Sequence, residues 1–516
     1  MANLKNVYFS FVVIALGGLL FGYIIGITSN VVTEGQVLCP KDWSGEVGTL
    51  TSYGYGQCYD LDVWGEGILS SMNLVGAALA SLFCFRFADI LGRKREAQIG
   101  AILYFLGSLW AAASPALWGI YGGLLIYGLG IGFAMHAAPV YIAEMSPKEI
   151  RGTLVSAKEA VIVLGIFLGF ASGSIFSGIA QNGWRYMLFV GTVIAILMEV
   201  GLLKLHRSPR WLLLRASRQG RGGLLGGSQD ALVDEARAAL KFFRTSASSE
   251  EVEAELQEIQ DELTTVVVDN EAPPGCCETF KYPRPLIIGC GLVFLQQVTG
   301  QPSVLYFATN IFKDAGFSSS AALSSVGVGF VKLLATLFTV FRVDQFGRRQ
   351  LLLWGIALMV LPLAVLSVAF AFRRCEAVGV AISDCPEDQV GLPKPWAYAT
   401  VAALMVYVSG YQVGFGPISW LMISEIFPLR VRGAALSTAA MVNFCSNILM
   451  TLCQAALMRA LTPAGVFALY LGLALFSLVF VKYTVPETRG RSLEDIEREM
   501  TGNRPRQSSR ISMQAQ

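Results

Sequence analysis

The feature that most limits this chain is its series of long apolar runs. Hydrocarbon about 30 Å thick is crossed by roughly 20 apolar residues in helical form. Twelve stretches reach that length, at approximately 7–30, 64–86, 97–116, 118–142, 153–178, 185–205, 285–307, 320–342, 350–372, 396–424, 433–458 and 463–484. Only 15% of the 516 residues are charged and 54% are hydrophobic, a balance that soluble proteins of this length rarely show. The predicted class is an all-α membrane protein with twelve transmembrane helices. Several runs are rich in Gly and small residues, as close helix packing in lipid favours.

The net charge of +2 says little about a partner. No nucleic acid is expected, and the lipid bilayer is the partner that the runs require. The distribution of charge says more. The turns after the second, fourth, eighth and tenth runs carry Arg86, Arg93, Lys94 and Arg95; Lys148 and Arg151; Arg342, Arg348 and Arg349; and Arg430 and Arg432. The loop after the first run has Lys41 against Glu34, Asp42, Glu46, Asp60 and Asp62. By the positive-inside rule the even turns, the 207–284 segment and both termini are cytoplasmic. The first run starts close to Met1 and lacks a small-residue cleavage pattern, so it reads as a retained helix. Cys39 and Cys58 share one outer loop, and Cys375 and Cys385 another. Each pair closes a disulfide if that face is oxidising, or stays as free thiols. Cys276 and Cys277 lie on the inner side and are expected to be reduced.

The expected organisation is a six-helix bundle over 1–206, a connector over 207–284, a second six-helix bundle over 285–484 and a tail over 485–516. The connector opens on "RQGRGGLLGGSQD". It continues into a charged stretch with Ala236, Ala239, Leu240 and Phe243 at helical spacing, which predicts short amphipathic helices. The two bundles repeat each other. "ADILGRK" (Asp89, Gly92, Arg93, Lys94) follows the second run and "VDQFGRR" (Asp344, Gly347, Arg348, Arg349) follows the eighth. "EMSPKEIRG" from Glu144 and "EIFPLRVRG" from Glu425 share E-x-x-P-x-x-x-R-G. "RSPRWLL" after run six answers "VPETRGRS" after run twelve. Such duplication marks carriers that rock two halves around a central site. Acids and arginines at these helix ends can pair across the bundles and hold an inner gate shut. The candidates are Asp89, Arg93, Glu144, Arg151, Arg210, Asp344, Arg348, Arg349, Glu425 and Arg432. The plainer reading is that the basic residues only orient the spans, but it leaves Glu144 and Glu425 unaccounted for.

These motif pairs, with "QQVTGQPSVLY" in run seven and "GFGPISW" in run ten, resemble the sugar porter family of the major facilitator superfamily from Gly17 to about Leu493. "AMHAAPVYIAE" and "LVSAKEAVIVLG" are similar to its plant and algal branch of vacuolar and plastidic glucose carriers. The resemblance implies the major facilitator fold and a hexose or pentose site near the membrane midplane. Amides both donate and accept, which suits a ring of sugar hydroxyls. Gln296 and Gln297 fit that role. Asn443 and Asn447 are i, i+4 and share a helix face. Trp420 can lie against a sugar face, Gln412 precedes it, and Tyr306 closes the outer side. The alternatives are interhelical hydrogen bonding for the amides and an interfacial belt for Trp420.

The chain departs from the family pattern in several places. Pro302 stands where an Asn is common. Glu159, beside Lys158, replaces a Gln in run five, and Lys332 replaces an Asn in run eight; both stay candidates for the sugar site, Glu159 as an acceptor of sugar hydroxyls or as one side of a fixed pair between the halves. His206-Arg207 precede Ser208-Pro209-Arg210 where the family has Pro-Glu. The departure with the largest consequence is Phe21-Gly22-Tyr23-Ile24. Proton-coupled relatives carry an acid at the fourth position, tuned by an Arg in span four. Here those positions hold Ile24 and Leu124. Removing one partner of a buried ion pair costs several kcal/mol, whereas replacing both with apolar residues can be neutral. The pair looks converted as a unit, which predicts a facilitative uniporter for a hexose, glucose first. Two alternatives stand beside it. One is proton symport through Glu159 pairing with Lys332 in one state, with Glu199 and His136 as weaker candidates. The other is a non-transporting sugar sensor, against which the short, basic tail argues. No phosphate loop, metal-ligand cluster or nucleophile triad stands out, so no enzyme, metal or cofactor is expected. The expected membrane is the plasma or vacuolar membrane, with the plastid envelope less favoured for want of a visible transit peptide.

Overall fold

The structure, a computed structural model, describes residues 4–40, 47–48, 58–147, 150–179, 182–219, 229–245, 247–268, 276–317, 320–375, 390–428, 431–489, 491, 496 and 498–500. The side chains of Asp89, Asp344, Cys276, Cys277 and Cys375 lie outside the described residues, as do Lys148, Cys385, Arg430 and the tail beyond 500.

Six helices make the first half: α1 (Lys5–Val31), α2 (Val63–Leu91), α3 (Arg93–Ala113), α4 (Leu117–Met145), α5 (Arg151–Phe176) and α6 (Gly183–Lys204). α1 is central, with most of its length buried. It lies against α5 through glycines: a Cβ on Gly22 would stand 1.8 Å from the Ile162 carbonyl oxygen, so only glycine permits this approach. α6 is peripheral. Phe189, Val193, Ile196, Val200 and Leu203 are exposed at i+3 and i+4 steps, a lipid-facing stripe. Beyond α1, Cys39 and Cys58 are joined in a disulfide, and Val47–Gly48 (β1) pairs in parallel with Cys58–Tyr59 (β2).

The connector holds α7 (Pro209–Gln219), α8 (Gln229–Phe243) and α9 (Ser249–Val268). They share a small core of Trp211, Leu212, Leu240, Val252 and Leu256. α8 buries Ala236, Ala239, Leu240 and Phe243. It is fastened to the first half where Asn6 Nδ2 donates to Phe242 O at 2.9 Å and Arg244 donates to Met145 O at 2.9 Å.

The second half differs from twelve simple rods. The seventh run is broken into α10 (Pro283–Val298), α11 (Gln301–Tyr306) and α12 (Ala308–Asp314). Gly300 sits at φ +99°, and a Cβ there would strike the Tyr470 ring at 2.4 Å, so this glycine both turns the chain and yields to a neighbour. Pro302 follows in the first turn of α11, where its missing N–H costs nothing. α13 (Ala321–Phe346) and α14 (Arg348–Ala371) are continuous. A two-residue antiparallel pairing, Arg374–Cys375 (β3) with Val390–Gly391 (β4), precedes the tenth run. That run breaks at Gly414 into α15 (Lys394–Val413) and α16 (Phe415–Ile426). The last two runs are one stretch, α17 (Arg432–Thr484), kinked at Thr462 (φ 60°) just before Pro463. Among the described residues nine helices are long and apolar enough to cross a membrane, and α17 carries two of the predicted spans. α3 opens on four charged residues, and the seventh run is in pieces, so neither is counted among the nine.

The halves meet along α2 with α17 and α5 with α13. Gly67 lets α2 reach the Leu452 backbone, where a Cβ would stand 2.4 Å from the carbonyl oxygen. Phe167 and Phe330 meet between α5 and α13 as tilted rings with centroids 6.0 Å apart.

Candidate substrate site and gates

The end of the bundle that carries Arg93, Glu144, Arg348 and Glu425 is called the inner end here, after the charge asymmetry. Among the described residues, the ion pairs at this end that join the predicted gate residues lie within a half. Arg93 Nε meets Glu144 Oε1 at 3.3 Å inside the first half, and Arg348 Nη2 meets Glu425 Oε1 at 3.1 Å inside the second. In each of these two pairs the acid stands at the end of one helix and the arginine at the start of another of the same half. Thr488 also donates to Glu425 Oε2 at 2.6 Å. Glu487 of the P-E-T-R-G motif accepts the backbone N–H groups of Arg348 and Arg349 at 3.0 and 3.1 Å. A carboxylate there meets the positive end of α14. The matching position in the first half holds Arg207, which turns to Glu235 of α8 at 3.4 Å. Arg349 donates to Lys482 O, and Arg432 to Phe427 O at 3.4 Å. Arg151 and Arg210 are exposed at the starts of α5 and α7.

At the opposite end the halves are sewn together by hydroxyls. Ser29 Oγ and Thr309 Oγ1 lie 3.0 Å apart, and the Thr309 N–H donates to Ser29 Oγ at 2.9 Å. Thr309 Oγ1 also reaches Asn30 Oδ1 at 3.2 Å and Ser325 Oγ at 3.1 Å. All four residues are buried. Sequence reading missed this seal. Its signal was the polar pair Ser29-Asn30 ending an apolar helix and Thr309 just past the seventh-run motif.

Between the two ends lie the amides, and their orientation is set by chemistry. Gln296 Nε2 donates to the Phe415 and Gly416 carbonyls at 3.2 and 3.5 Å, groups that only accept. These carbonyls belong to the first two residues after the Gly414 break. Gln297 Nε2 donates to Asn443 Oδ1 at 2.6 Å, linking α10 to α17. Lys332 Nζ donates to Gln412 Oε1 at 2.6 Å. The groups left over are Gln296 Oε1, Gln297 Oε1 and Gln412 Nε2, all buried with no hydrogen-bond partner, together with the Tyr306 hydroxyl. Orphaned buried polar atoms cost about 1–3 kcal/mol each and call for an occupant. Trp420 of α16 and Asn443, the partner of Gln297, are half-buried, and Asn447 Oδ1 accepts from Thr451 at 3.2 Å. Asn73 of α2 was missed because no motif surrounds it; its side chain lies against the Tyr306 hydroxyl.

Glu159 is half-buried on α5 and has no hydrogen bond among the described residues. It is coupled electrostatically to Lys158 and Lys332, yet no ion pair within 4.0 Å joins it to either among the described residues. Glu199 accepts from Gln98 at 3.2 Å, and His136 Nδ1 lies 2.6 Å from Glu96 Oε1. Ile24 and Leu124 line one mostly apolar cavity of about 10 Å³ with Ile27, Thr28, Ile120 and Leu188.

A fold of two six-helix halves around a polar midline defines a membrane carrier. Comparison with known proteins gives its family. The family model described as "Sugar (and other) transporter" matches residues 10–500. The chain is 42% identical over 500 residues to the Arabidopsis thaliana protein named D-xylose-proton symporter-like 3, chloroplastic, covering 96% of this chain and 82% of that one. It is 31% identical over 506 residues to the glucose transporter GlcP of Staphylococcus epidermidis, covering 97% and 99%. The inward-open, partially occluded structure of the E. coli xylose transporter XylE superposes with a TM-score of 0.71 at 22% identity, over 95% of this chain and 100% of that one. The chain belongs to the sugar porter family of the major facilitator superfamily. It is a sugar transporter and an integral membrane protein, not an enzyme.

Proposed function

We propose that the protein is a facilitative uniporter for a hexose, with glucose as the first candidate, working by alternating access. The observation that carries the uniport reading is the mostly apolar cavity shared by Ile24 and Leu124. A group that cannot bind a proton gives the membrane potential, worth about 2.3 kcal/mol per charge per 100 mV, nothing to act on. The orphaned Gln296 and Gln297 oxygens and the Gln412 nitrogen support a polyhydroxylated ligand, since a sugar hydroxyl donates and accepts at once. Trp420 supplies an apolar surface for its C–H face. The hydroxyl seal at Thr309 supports a form in which access is from the inner end.

A second reading is proton symport through Glu159. It is favoured by the unpartnered, half-buried carboxylate and by the proton-symporter names of the Arabidopsis relatives. A pH electrode in a suspension of proteoliposomes separates the two. Uniport gives no alkalinisation of the medium when glucose is added; symport gives a sugar-dependent one. For location, the vacuolar and plasma membranes with inner-facing termini remain our proposal. The chloroplast name of one relative makes the plastid envelope the competing outcome of a fluorescent-fusion experiment.

A further inference from the structure

Lys332 stands where the family pattern offers a small amide, and it does not take that amide's place. It is 2% exposed, its ammonium donates to Gln412 Oε1 at 2.6 Å, and it lies 5.0 Å from the Tyr411 ring centre. An ammonium has three donors and no acceptor, so of the two ends of a carboxamide it can hold only the oxygen. The nitrogen is thereby turned to the other side. There Gln412 Nε2 is buried without a partner, against Gly416, where a Cβ would stand 2.6 Å from it. Gln296 reaches the same glycine from α10 but in the opposite sense: its nitrogen is used on the Phe415 and Gly416 carbonyls and its oxygen is left over. The break at Gly414 therefore gathers one unpaired donor and one unpaired acceptor, and each orientation is forced by a neighbour that can act in only one role.

We propose that Lys332 is a positioning residue that fixes Gln412 as an obligate donor toward the transported sugar, rather than a group that touches the sugar. The proposal rests on the sugar site described above. It assigns a polarity to that site. The sugar oxygen at Gln412 acts as acceptor, and the sugar hydroxyl at Gln296 acts as donor. Glu159 on α5 is the charged group that acts on Lys332 from the other half, and among the described residues it lies beyond ion-pair distance.

The test compares glucose with its monodeoxy and monofluoro analogues in proteoliposomes of the purified full chain. A C–F group accepts weakly and never donates. At the position facing Gln412 the fluoro sugar is expected to outperform the deoxy sugar; at the position facing Gln296 both fail alike. Lys332→Met is expected to raise the KM for glucose about ten-fold with kcat held, and to erase the fluoro–deoxy distinction at one position only. Lys332→Arg, which also can only donate, restores both. Gln412→Met in the otherwise unchanged chain reproduces the Lys332→Met profile, and it decides the matter if Lys332→Met fails to insert. A Lys332→Met or Gln412→Met protein with the parent KM and analogue profile would overturn the proposal. If the unaltered protein binds no monosaccharide in a thermal-shift assay, the sugar site itself is wrong, and this inference falls with it.

Discussion

Ile24 of α1 and Leu124 of α4 line the same small, mostly apolar cavity, and they are 1% and 7% exposed. Among the side chains lining the cavity with them, Thr28 is the one polar group, and its hydroxyl is already donated to the Ile24 carbonyl at 2.6 Å. That makes the two positions a single energetic unit, and it makes their joint replacement testable. Ile24→Asp alone buries an unpaired carboxylate and is expected to destabilise the protein by about 3–5 kcal/mol. Ile24→Asp with Leu124→Arg is expected to recover most of that loss. Thermal unfolding of the purified variants checks both, and additive losses would show that the positions do not communicate.

Thr309 is the hub of the outer seal, because its hydroxyl reaches Ser29, Asn30 and Ser325. Thr309→Val keeps the shape and strands those partners, at a cost of about 1–3 kcal/mol to the sealed state. Spin labels at the exposed positions Trp64 and Tyr398, one in each half, are expected to show a longer distance in the variant. An unchanged distance distribution would mean that the seal does not set the conformational balance.

Glu487 holds the start of α14 through two backbone N–H groups. Glu487→Gln keeps one acceptor and loses the charge. A loss of about 1 kcal/mol in stability is expected, within the range for a charge at a helix terminus. The measurement is Tm at low and high salt, with the gap to the parent narrowing as salt rises.

His206 lies between the first half and the connector, its ring centred 4.6 Å from that of Phe242. Burial, and then the Lys94 ammonium, hold its imidazole below the usual range, while Glu235 opposes them. The unfolded chain therefore takes up this proton at higher pH than the folded one. The stability so conferred is present above about pH 6.5 and is lost as pH falls through and below that value. His206→Phe keeps the ring contact and removes the titration. Between pH 8 and pH 5.5 the parent is expected to lose more Tm than the variant; equal losses would remove His206 from the account.

Hydropathy made the membrane runs legible, because each needs only an average over about 20 residues. The same averaging hid the breaks. Gly300 and Gly414 sit inside apolar stretches, and only the local signals Gly-Gln-Pro and Gly-Phe-Gly-Pro marked them. The gate residues were legible as types, but not as partners. Nothing in the spacing of Arg93 and Glu144, or of Arg348 and Glu425, shows that each pair closes within its own half. Gln296, Gln297 and Gln412 were legible as amides, but which end each presents depends on neighbours distant in sequence: Phe415 for Gln296, Asn443 for Gln297 and Lys332 for Gln412. Asn73 and Thr309 were not legible, since a single polar residue in an apolar helix looks the same whether it faces lipid, a neighbouring helix or a substrate.

The most direct test of the account is labelled-glucose uptake into proteoliposomes with and without an inward proton gradient. The account predicts equilibration to the outside concentration in both cases, at rates that the gradient leaves unchanged. Accumulation above the outside concentration under the gradient, abolished by Glu159→Gln, would contradict it and move the coupling site from the Ile24–Leu124 cavity to α5.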